Sequence, residues 1–176
     1  ASDAAFLEAI EVPSSWFLIG SLVAGSGCVA VLVMAFDTRF PIAVLAVLLS
    51  FILCMVACRA TGESDITPMG AMGKVAQLSF SILAPSNMIT NLMTASVTAG
   101  AASSSADLLT DLKSGYLLGA NPRKQFIAQF LGIFAGCVVV VPAFYLLIPD
   151  ASALGGDQWP APAAQVWKKV AELLSQ

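Results

Sequence analysis

Residues 40–58 have the sequence FPIAVLAVLLSFILCMVAC, an apolar run that contains no charged residue. A helix needs about 20 apolar residues to cross a hydrocarbon layer about 30 Å thick, so this run predicts a transmembrane helix. Two further uncharged apolar runs occupy residues 16–36 and 125–149. Trp16 begins the first of them, and an aromatic side chain is favourable at the membrane interface. The sequence therefore predicts three apolar spans.

The composition excludes most other classes of protein. Of the 176 residues, 58% are apolar and 11% are charged, and the net charge is −3. Soluble domains carry about 25% charged residues, and disordered segments need low hydrophobicity and high charge. Nucleic acid is excluded as a partner because the chain has no basic patch. The expected partner is the lipid bilayer.

Residues that usually bind metals are scarce. The chain has no histidine, and its four cysteines lie inside apolar runs, where free thiols behave as small hydrophobic side chains. Cys54 and Cys58 lie one helical turn apart, which a soft metal ion would accept, but a zinc site usually includes histidine or a CxxC pair. We therefore expect no metal site and no cofactor.

The middle of the chain is uncharged without being strongly apolar. Residues 75–106 are rich in Ser, Thr, Asn, Gly and Ala. Pro85 lacks a backbone donor and disfavours helix at the residue before it. The pattern predicts a short helix over 67–83, a break at Pro85, and a long helix over 86–113. The short helix is either a span or re-entrant, and the break is expected inside protein or beside water.

The tail predicts an amphipathic helix over residues 162–175. Its apolar stripe consists of Val166, Trp167, Val170, Ala171 and Leu174. Such a helix is expected at the membrane surface, although a connecting helix toward a further span is an equal alternative. The predicted fold is an all-α integral membrane protein, with residues 1–176 in a single membrane domain. It has about four transmembrane helices, one broken or re-entrant helix, and this C-terminal helix.

The long helix over 86–113 carries polar residues on two sides. One stripe consists of Asn87, Asn91, Thr94, Thr98 and Ser105, and the opposite one of Ser96, Gly100, Ser103, Asp107 and Asp111. Such a helix is expected to be surrounded by protein or to line an aqueous cavity. Close packing through small residues is the alternative.

Two carboxylates of this helix, Asp107 and Asp111, lie one turn apart. They repel each other when both are ionised, which favours reversible protonation of one of them. The alternative is that both lie at the helix end near headgroup water, with Lys113 and Arg123 as partners.

Two segments carry a resemblance to a known family. Residues 62–70, GESDITPMG, precede Gly73, Lys74 and Gln77, while residues 101–116, AASSSADLLTDLKSGY, precede the tripeptide 121–123, NPR. They resemble the G-x-T-D-x-x-P … G-K … Q and D-L-K-x-G … P-P-R segments of the oligopeptide transporter superfamily. The resemblance covers about residues 59–136 and is strongest to the bacterial branch, which is related to the yellow stripe-like transporters.

The chain departs from the family pattern in three ways. Ser64 stands where Thr is usual, and Asn121 stands where the eukaryotic motif has Pro. Family members are also much longer, and this chain has no initiator Met. The resemblance therefore implies a portion of a multi-pass transporter, located in a bacterial inner (plasma) membrane.

The resemblance implies secondary transport of small peptides or peptide-like compounds, including metal-chelating ones, coupled to protons. Broken helices with polar linings are typical of secondary transporters. Amide side chains suit peptide groups, a lysine offers a counter-charge, and carboxylates would carry the proton. The candidate substrate-binding or coupling residues are Glu63, Asp65, Thr67, Lys74, Gln77, Asn87, Asn91, Asp107, Asp111, Lys113 and Arg123.

Other functions remain open from the sequence. The GxxxG pairs Gly132–Gly136 and Gly115–Gly119 would also pack helices between copies in an oligomeric channel, and a structural subunit of a membrane complex is a further alternative. An intramembrane enzyme is disfavoured because no histidine is present to activate a serine. No catalytic residue is predicted.

Overall fold

The computed structural model describes residues 10–84 and 87–174. Within them the α-helices are α1 Ser14–Phe36, α2 Phe40–Ser64, α3 Met69–Leu83, α4 Met88–Leu117, α5 Pro122–Leu147 and α6 Pro162–Leu174. A short 3-10 helix, Ala151–Ala153, precedes an isolated bridge between Leu154 and Trp159, and these described residues form no β-strand. The predicted all-α fold class is confirmed.

Three of these helices are long and apolar enough to cross a membrane, namely α1, α2 and α5. They contain the runs 16–36 and 40–58 and most of 125–149. Helix α2 continues six residues beyond its apolar run, and in this extension Arg59 and Glu63 form an exposed ion pair of 2.9 Å one turn apart. Asp65 then ends the helix in the left-handed conformation, and its N–H donates to the Thr61 carbonyl at 2.8 Å.

The polar middle of the chain forms two separate helices. Helix α3 ends at Leu83, where the Ala84 N–H donates to the Phe80 carbonyl at 2.8 Å. Helix α4 begins at Met88. The predicted break at Pro85 lies outside the described residues. The short and long helices predicted here thus exist as separate elements on either side of it.

Helix α4 extends beyond the predicted end at residue 113. It ends at Leu117, followed by Gly119 with a φ of 75°. The Ala120 N–H donates to the Gly115 carbonyl at 2.8 Å, and the Gly119 N–H donates to Tyr116 at 3.1 Å. This is a Schellman ending, in which glycine takes the left-handed position without a Cβ clash.

The chain forms two compact units. We call Ser14–Thr110 with Trp167–Gln176 the core unit, and Ala1–Pro13 with Asp111–Val166 the hairpin unit. In the core unit, α1 packs on α2 and α2 packs on α3. Its core is rich in small residues, including Ala43, Ala46, Ala57, Ala76, Ala95 and Ala102. Small side chains allow helix backbones to approach closely, which is the usual packing of membrane helices.

The segment of α6 in the core unit packs against protein. Trp167 contacts the hydrophobic core, and Ala171 is buried. A Cβ placed on Gly73 of α3 would overlap the Trp167 ring, so only glycine fits beneath the indole. Two members of the predicted apolar stripe therefore contact protein, while the position of α6 relative to the membrane stays a prediction.

The close approach of Trp167 to Gly73 makes a first prediction. Gly73→Ala is expected to lower the free energy of unfolding by about 1–3 kcal/mol, because the new methyl group displaces the indole. Gly70→Ala is the control, since nothing in the described part of the chain lies within 4 Å of the Cβ position at Gly70. That control should be neutral or stabilising by at most about 1 kcal/mol.

Denaturant unfolding of the detergent-solubilised protein measures both variants. In a Trp167→Ala background, adding Gly73→Ala should cause no further loss, because the clashing ring has gone. Equal tolerance of Gly73→Ala and Gly70→Ala in the natural background would contradict the contact.

Candidate functional site

Asn91 connects the two helices that flank the predicted break. It is buried on α4, and its Nδ2 donates to the backbone carbonyl of Gln77 on α3 at 2.7 Å. A buried hydrogen bond between side chain and backbone has no water to compete with it, so it fixes the register of the two helices. The contact joins two predicted site residues 14 positions apart in the sequence.

Gln77 extends the connection to a third helix. Its side chain is fully buried, and its Nε2 donates to the backbone carbonyl of Trp167 on α6 at 3.1 Å. Gly73 and Gln77 are four residues apart, so they lie on the same face of α3. Both meet Trp167, the glycine under the indole and the glutamine at the carbonyl. Gly73 and Gln77 of the G-K … Q segment therefore form the face of α3 on which Trp167 packs.

The two amide side chains leave their oxygens unpaired. Gln77 Oε1 and Asn91 Oδ1 are buried and have no hydrogen-bond donor among the described residues. The positions of oxygen and nitrogen in each amide are fixed, because the NH₂ group donates to a backbone carbonyl, which can only accept. A buried polar atom without a partner costs about 1–3 kcal/mol, so both oxygens are favourable places for a donor from a ligand or from water.

Two threonines continue this face along α4. The Thr94 hydroxyl donates to the Thr90 carbonyl at 2.7 Å, and the Thr98 hydroxyl donates to the Thr94 carbonyl at 2.8 Å. Both residues are fully buried. Because a hydroxyl has one proton, each oxygen offers only lone pairs to any further partner. We call Gln77, Asn91, Thr94 and Thr98 the acceptor cluster.

The other predicted residues near the start of α3 have local roles. Thr67 Oγ1 accepts a hydrogen bond of 3.2 Å from Thr61, Glu63 pairs with Arg59, and Asp65 ends α2. Lys74 is exposed on α3. None of these four candidates joins the acceptor cluster through a contact in the described part of the chain.

Asn87 lies just before α4 and has a structural contact of its own. Its Oδ1 accepts from the Thr90 N–H at 2.9 Å, which satisfies one of the free donors at the helix start. Its side chain is exposed. Although Asn87 and Asn91 belong to one predicted stripe, only Asn91 reaches the acceptor cluster.

The remaining candidates lie toward the end of α4 and the start of α5. In the hairpin unit, Asp111 Oδ2 accepts from Gln129 Nε2, and the Asp111 carbonyl accepts from Gln125 Nε2. A Cβ on Gly115 would overlap the Gln125 side chain, so this glycine gives the two helices their close approach. These contacts make the D-L-K-x-G segment one side of a helical hairpin.

Three more charged candidates have separate surroundings. The Arg123 Nε donates to the Glu11 carbonyl, and the Lys113 ammonium lies 5.4 Å from the centroid of the Tyr116 ring. Asp107 is exposed on α4 within the core unit. The predicted carboxylate pair Asp107 and Asp111 is thus exposed at both positions.

The tripeptide 121–123 starts helix α5. Asn121 is the N-cap and its Oδ1 accepts from the Lys124 N–H at 3.3 Å, while Pro122 occupies the first turn. Proline is favourable there because its missing N–H would have no partner within the helix. Asn121 therefore replaces the proline of the eukaryotic motif with a capping side chain.

Sequence reasoning missed the partners that complete these contacts. Trp167 lies 90 residues from Gln77, and no local signal connects them. Gln125 and Gln129 could have been found, since two amide side chains one turn apart in an apolar span call for a polar partner. Thr38 is a third buried group whose hydroxyl has no partner in the described chain.

The structure also contains an apolar cavity and free cysteine thiols. A cavity of about 380 Å³ lies along α1 and α4, lined by residues including Gly27, Val31, Met93 and Val97. The four cysteines are free thiols. Across residues 10–84 and 87–174, no group of three or more His, Cys, Asp and Glu side chains is placed to hold a metal ion.

The three long apolar helices, together with the buried polar contacts that Gln77 makes with α4 and α6, are typical of a polytopic helical membrane protein. The family model for OPT oligopeptide transporter protein matches residues 3–176. The chain belongs to this family. The match covers far more of the chain than the two motifs, and it confirms the predicted resemblance.

Relatives from fungi and plants are similar to this chain. A candidate oligopeptide transporter of Saccharomyces cerevisiae is 30% identical over 163 residues, which cover 89% of this chain and 22% of the yeast protein. A candidate metal-nicotianamine transporter of Oryza sativa subsp. japonica is 32% identical over 64% of this chain and 16% of its own length. The iron-phytosiderophore transporter yellow stripe 1 of Zea mays is 33% identical over 64% of this chain and 17% of its own length. The chain thus spans about a fifth of the length of these relatives, and no solved structure matches it.

The buried amide of Gln77 makes a second prediction. Gln77→Glu is expected to lower the free energy of unfolding by at least about 3 kcal/mol at pH 8, because an ionised carboxylate is buried without a counter-charge. An ionised carboxylate also cannot donate to the Trp167 carbonyl. At low pH the protonated acid is neutral and donates an O–H, so the loss should shrink as pH falls.

Gln77→Met is the matched control for this pH dependence. It keeps the length of the side chain and removes both the hydrogen bond and the unpaired Oε1, so its net cost is at most about 1 kcal/mol and does not vary with pH. Unfolding of both variants is measured in detergent between pH 4 and pH 8. If the free energy of unfolding depends on pH in the same way for Gln77→Glu and Gln77→Met, the side chain at position 77 is not buried without a counter-charge.

Proposed function

We propose that this chain is part of a secondary active transporter of small peptides or peptide-like compounds, metal-chelating ones included, and that transport is coupled to protons. The single observation that carries the proposal is the acceptor cluster, a buried polar face on two helices that flank an interruption. Secondary transporters bind substrates at interrupted helices, because the backbone and side chains there have free hydrogen-bonding groups. No catalytic role is proposed for any residue.

The names of the relatives support the substrate class. They refer to oligopeptides, to metal-nicotianamine and to an iron-phytosiderophore. A peptide carries several N–H donors, which match the lone pairs of Gln77 and Asn91. We propose the same binding role for Asn87, which precedes α4, and for Lys74 on α3, because both are exposed and therefore open to substrate.

We propose that carboxylates carry the coupling proton. Asp107, Asp111, Glu63 and Asp65 are the candidates, and all four side chains are exposed to whatever surrounds this segment. Asp111 is held by Gln129, which donates to its carboxylate and orients it. Thr67, Lys113 and Arg123 are proposed to support these acids by hydrogen bonding and charge.

The proton coupling makes a third prediction. In cells that express the protein as it occurs naturally, uptake of labelled trialanine should rise when the outside is acidified and collapse with a protonophore. Asp107→Asn or Asp65→Asn is expected to reduce this gradient-driven uptake at least about tenfold, because an amide cannot exchange the proton. Asp157→Asn, an exposed loop acid, is the control and should leave uptake unchanged.

Labelled metal-nicotianamine complex is tested in parallel with trialanine. If neither compound is taken up, the proposed function is overturned. Gradient-driven uptake that survives in Asp107→Asn, Asp111→Asn, Glu63→Gln and Asp65→Asn would overturn the carboxylate coupling alone.

We propose that the natural protein is a multi-pass component of a bacterial plasma membrane and is longer than this segment. The mass calculated for this chain is 18.2 kDa, and it covers 22% of the yeast relative. The fourth prediction is that the intact protein, purified from its own membranes, has a mass several times larger. Mass spectrometry of the undigested protein measures it directly.

One observation favours a second candidate, an oligomeric channel. Gly132 and Gly136 lie on one face of α5, and no atom of residues 10–84 and 87–174 lies within 4 Å of either Cβ position, so a helix of another copy could pack there. A native mass near 18.2 kDa, with current that neither saturates nor depends on a pH gradient, would favour the channel over the transporter.

A further inference from the structure

We infer that the acceptor cluster binds a peptide substrate through its neutral backbone N–H groups, and not through its charged ends. The inference rests on the proposed transport function and specifies which part of the substrate Gln77 and Asn91 recognise. It follows from three properties of the site, namely its two unpaired amide oxygens, its lack of buried charge and its burial.

The two atoms of the cluster without a hydrogen-bond partner among the described residues are both oxygens, Gln77 Oε1 and Asn91 Oδ1. One N–H of Asn91 donates to the Gln77 carbonyl, and one N–H of Gln77 donates to the Trp167 carbonyl. The hydroxyls of Thr94 and Thr98 donate within α4. A carbonyl or carboxylate oxygen placed against either unpaired amide oxygen would meet it without a proton between them.

Among the described residues of the core unit, no charged side chain is buried with the cluster. The buried polar residues of the described core unit are all neutral, namely Thr38, Ser50, Thr61, Gln77, Thr90, Asn91, Thr94 and Thr98. An ammonium group buried there would lack a counter-charge, and transferring an isolated ion into such a site is far more costly than transferring an amide. A neutral N–H group satisfies an unpaired oxygen without this cost.

Burial makes the recognition selective. Gln77 has 0% and Asn91 has 3% of its surface exposed, so a substrate reaches their oxygens only after a neighbouring helix moves. Once the site closes again, an oxygen that receives no N–H stays unpaired and destabilises the occupied state. A peptide that lacks one N–H should therefore be rejected much more strongly than its small change in size requires.

The test compares trialanine with two analogues, each N-methylated at one of its two peptide bonds. N-methylation removes a single N–H and leaves both charged ends. For the protein as it occurs naturally, one analogue should have an apparent affinity about tenfold weaker than trialanine in competition against labelled trialanine. In Gln77→Met or Asn91→Leu, trialanine itself should bind more weakly, and that tenfold difference should shrink to about twofold or less.

Thr38→Val is the matched control. Thr38 is also buried with an unpaired hydroxyl, but it lies between α1 and α2 outside the acceptor cluster. This variant should keep the full tenfold difference. Correct insertion of every variant is checked by its amount in the membrane and its elution as a single species in detergent.

The outcomes separate this inference from the proposed function. If the protein takes up neither trialanine nor the metal-nicotianamine complex, the proposed function is overturned. Uptake of the metal complex without trialanine would overturn the assignment of a peptide N–H. Trialanine uptake with no penalty for either analogue, or with a penalty unchanged in Gln77→Met and Asn91→Leu, would overturn this inference and leave the transport function standing.

Discussion

Gln77 makes the hydrogen bonds on which the core unit depends. Its backbone carbonyl accepts from Asn91 of α4, and its own NH₂ donates to Trp167 of α6, so one residue of α3 links three helices. Gly73, one turn earlier, leaves the space that the Trp167 ring fills. A hydrogen bond and an apolar contact thus both hold Trp167. Neither alone would fix both the position and the rotation of that part of α6.

This arrangement also explains why the polar residues of α4 do not behave as one surface. The buried face directs its protons inward, because Thr94, Thr98 and Asn91 all donate to backbone carbonyls. The exposed face carries Asp107 and, further along, Asp111. The hydrogen bonds that join these helices use the N–H groups of Gln77 and Asn91, while their amide oxygens have no donor among the described residues.

Much of the fold could be predicted because its causes are local. The spans of α1, α2 and α5 follow from uninterrupted apolar runs, and the start of α5 follows from an asparagine cap and a proline. The ends of α2 and α4 were less predictable. Helix α2 continues past its apolar run to Ser64 and contains the exposed Arg59–Glu63 pair there, while α4 ends where Gly119 adopts a left-handed conformation. Local interactions at such helix ends contribute about 1 kcal/mol or less, so a sequence pattern locates the ends less well than the spans.

By itself, the sequence determined the class of protein and the set of polar residues that a membrane protein has to satisfy. The sequence placed Gly73 and Gln77 in one family segment, and the helical spacing placed Asn91 in a polar stripe. Only the tertiary structure decided which of those residues meet, because a contact between Gln77 and Trp167 spans 90 residues and has no local cause. It also separated Asn91 from Asn87, since the first reaches a neighbouring helix and the second caps its own.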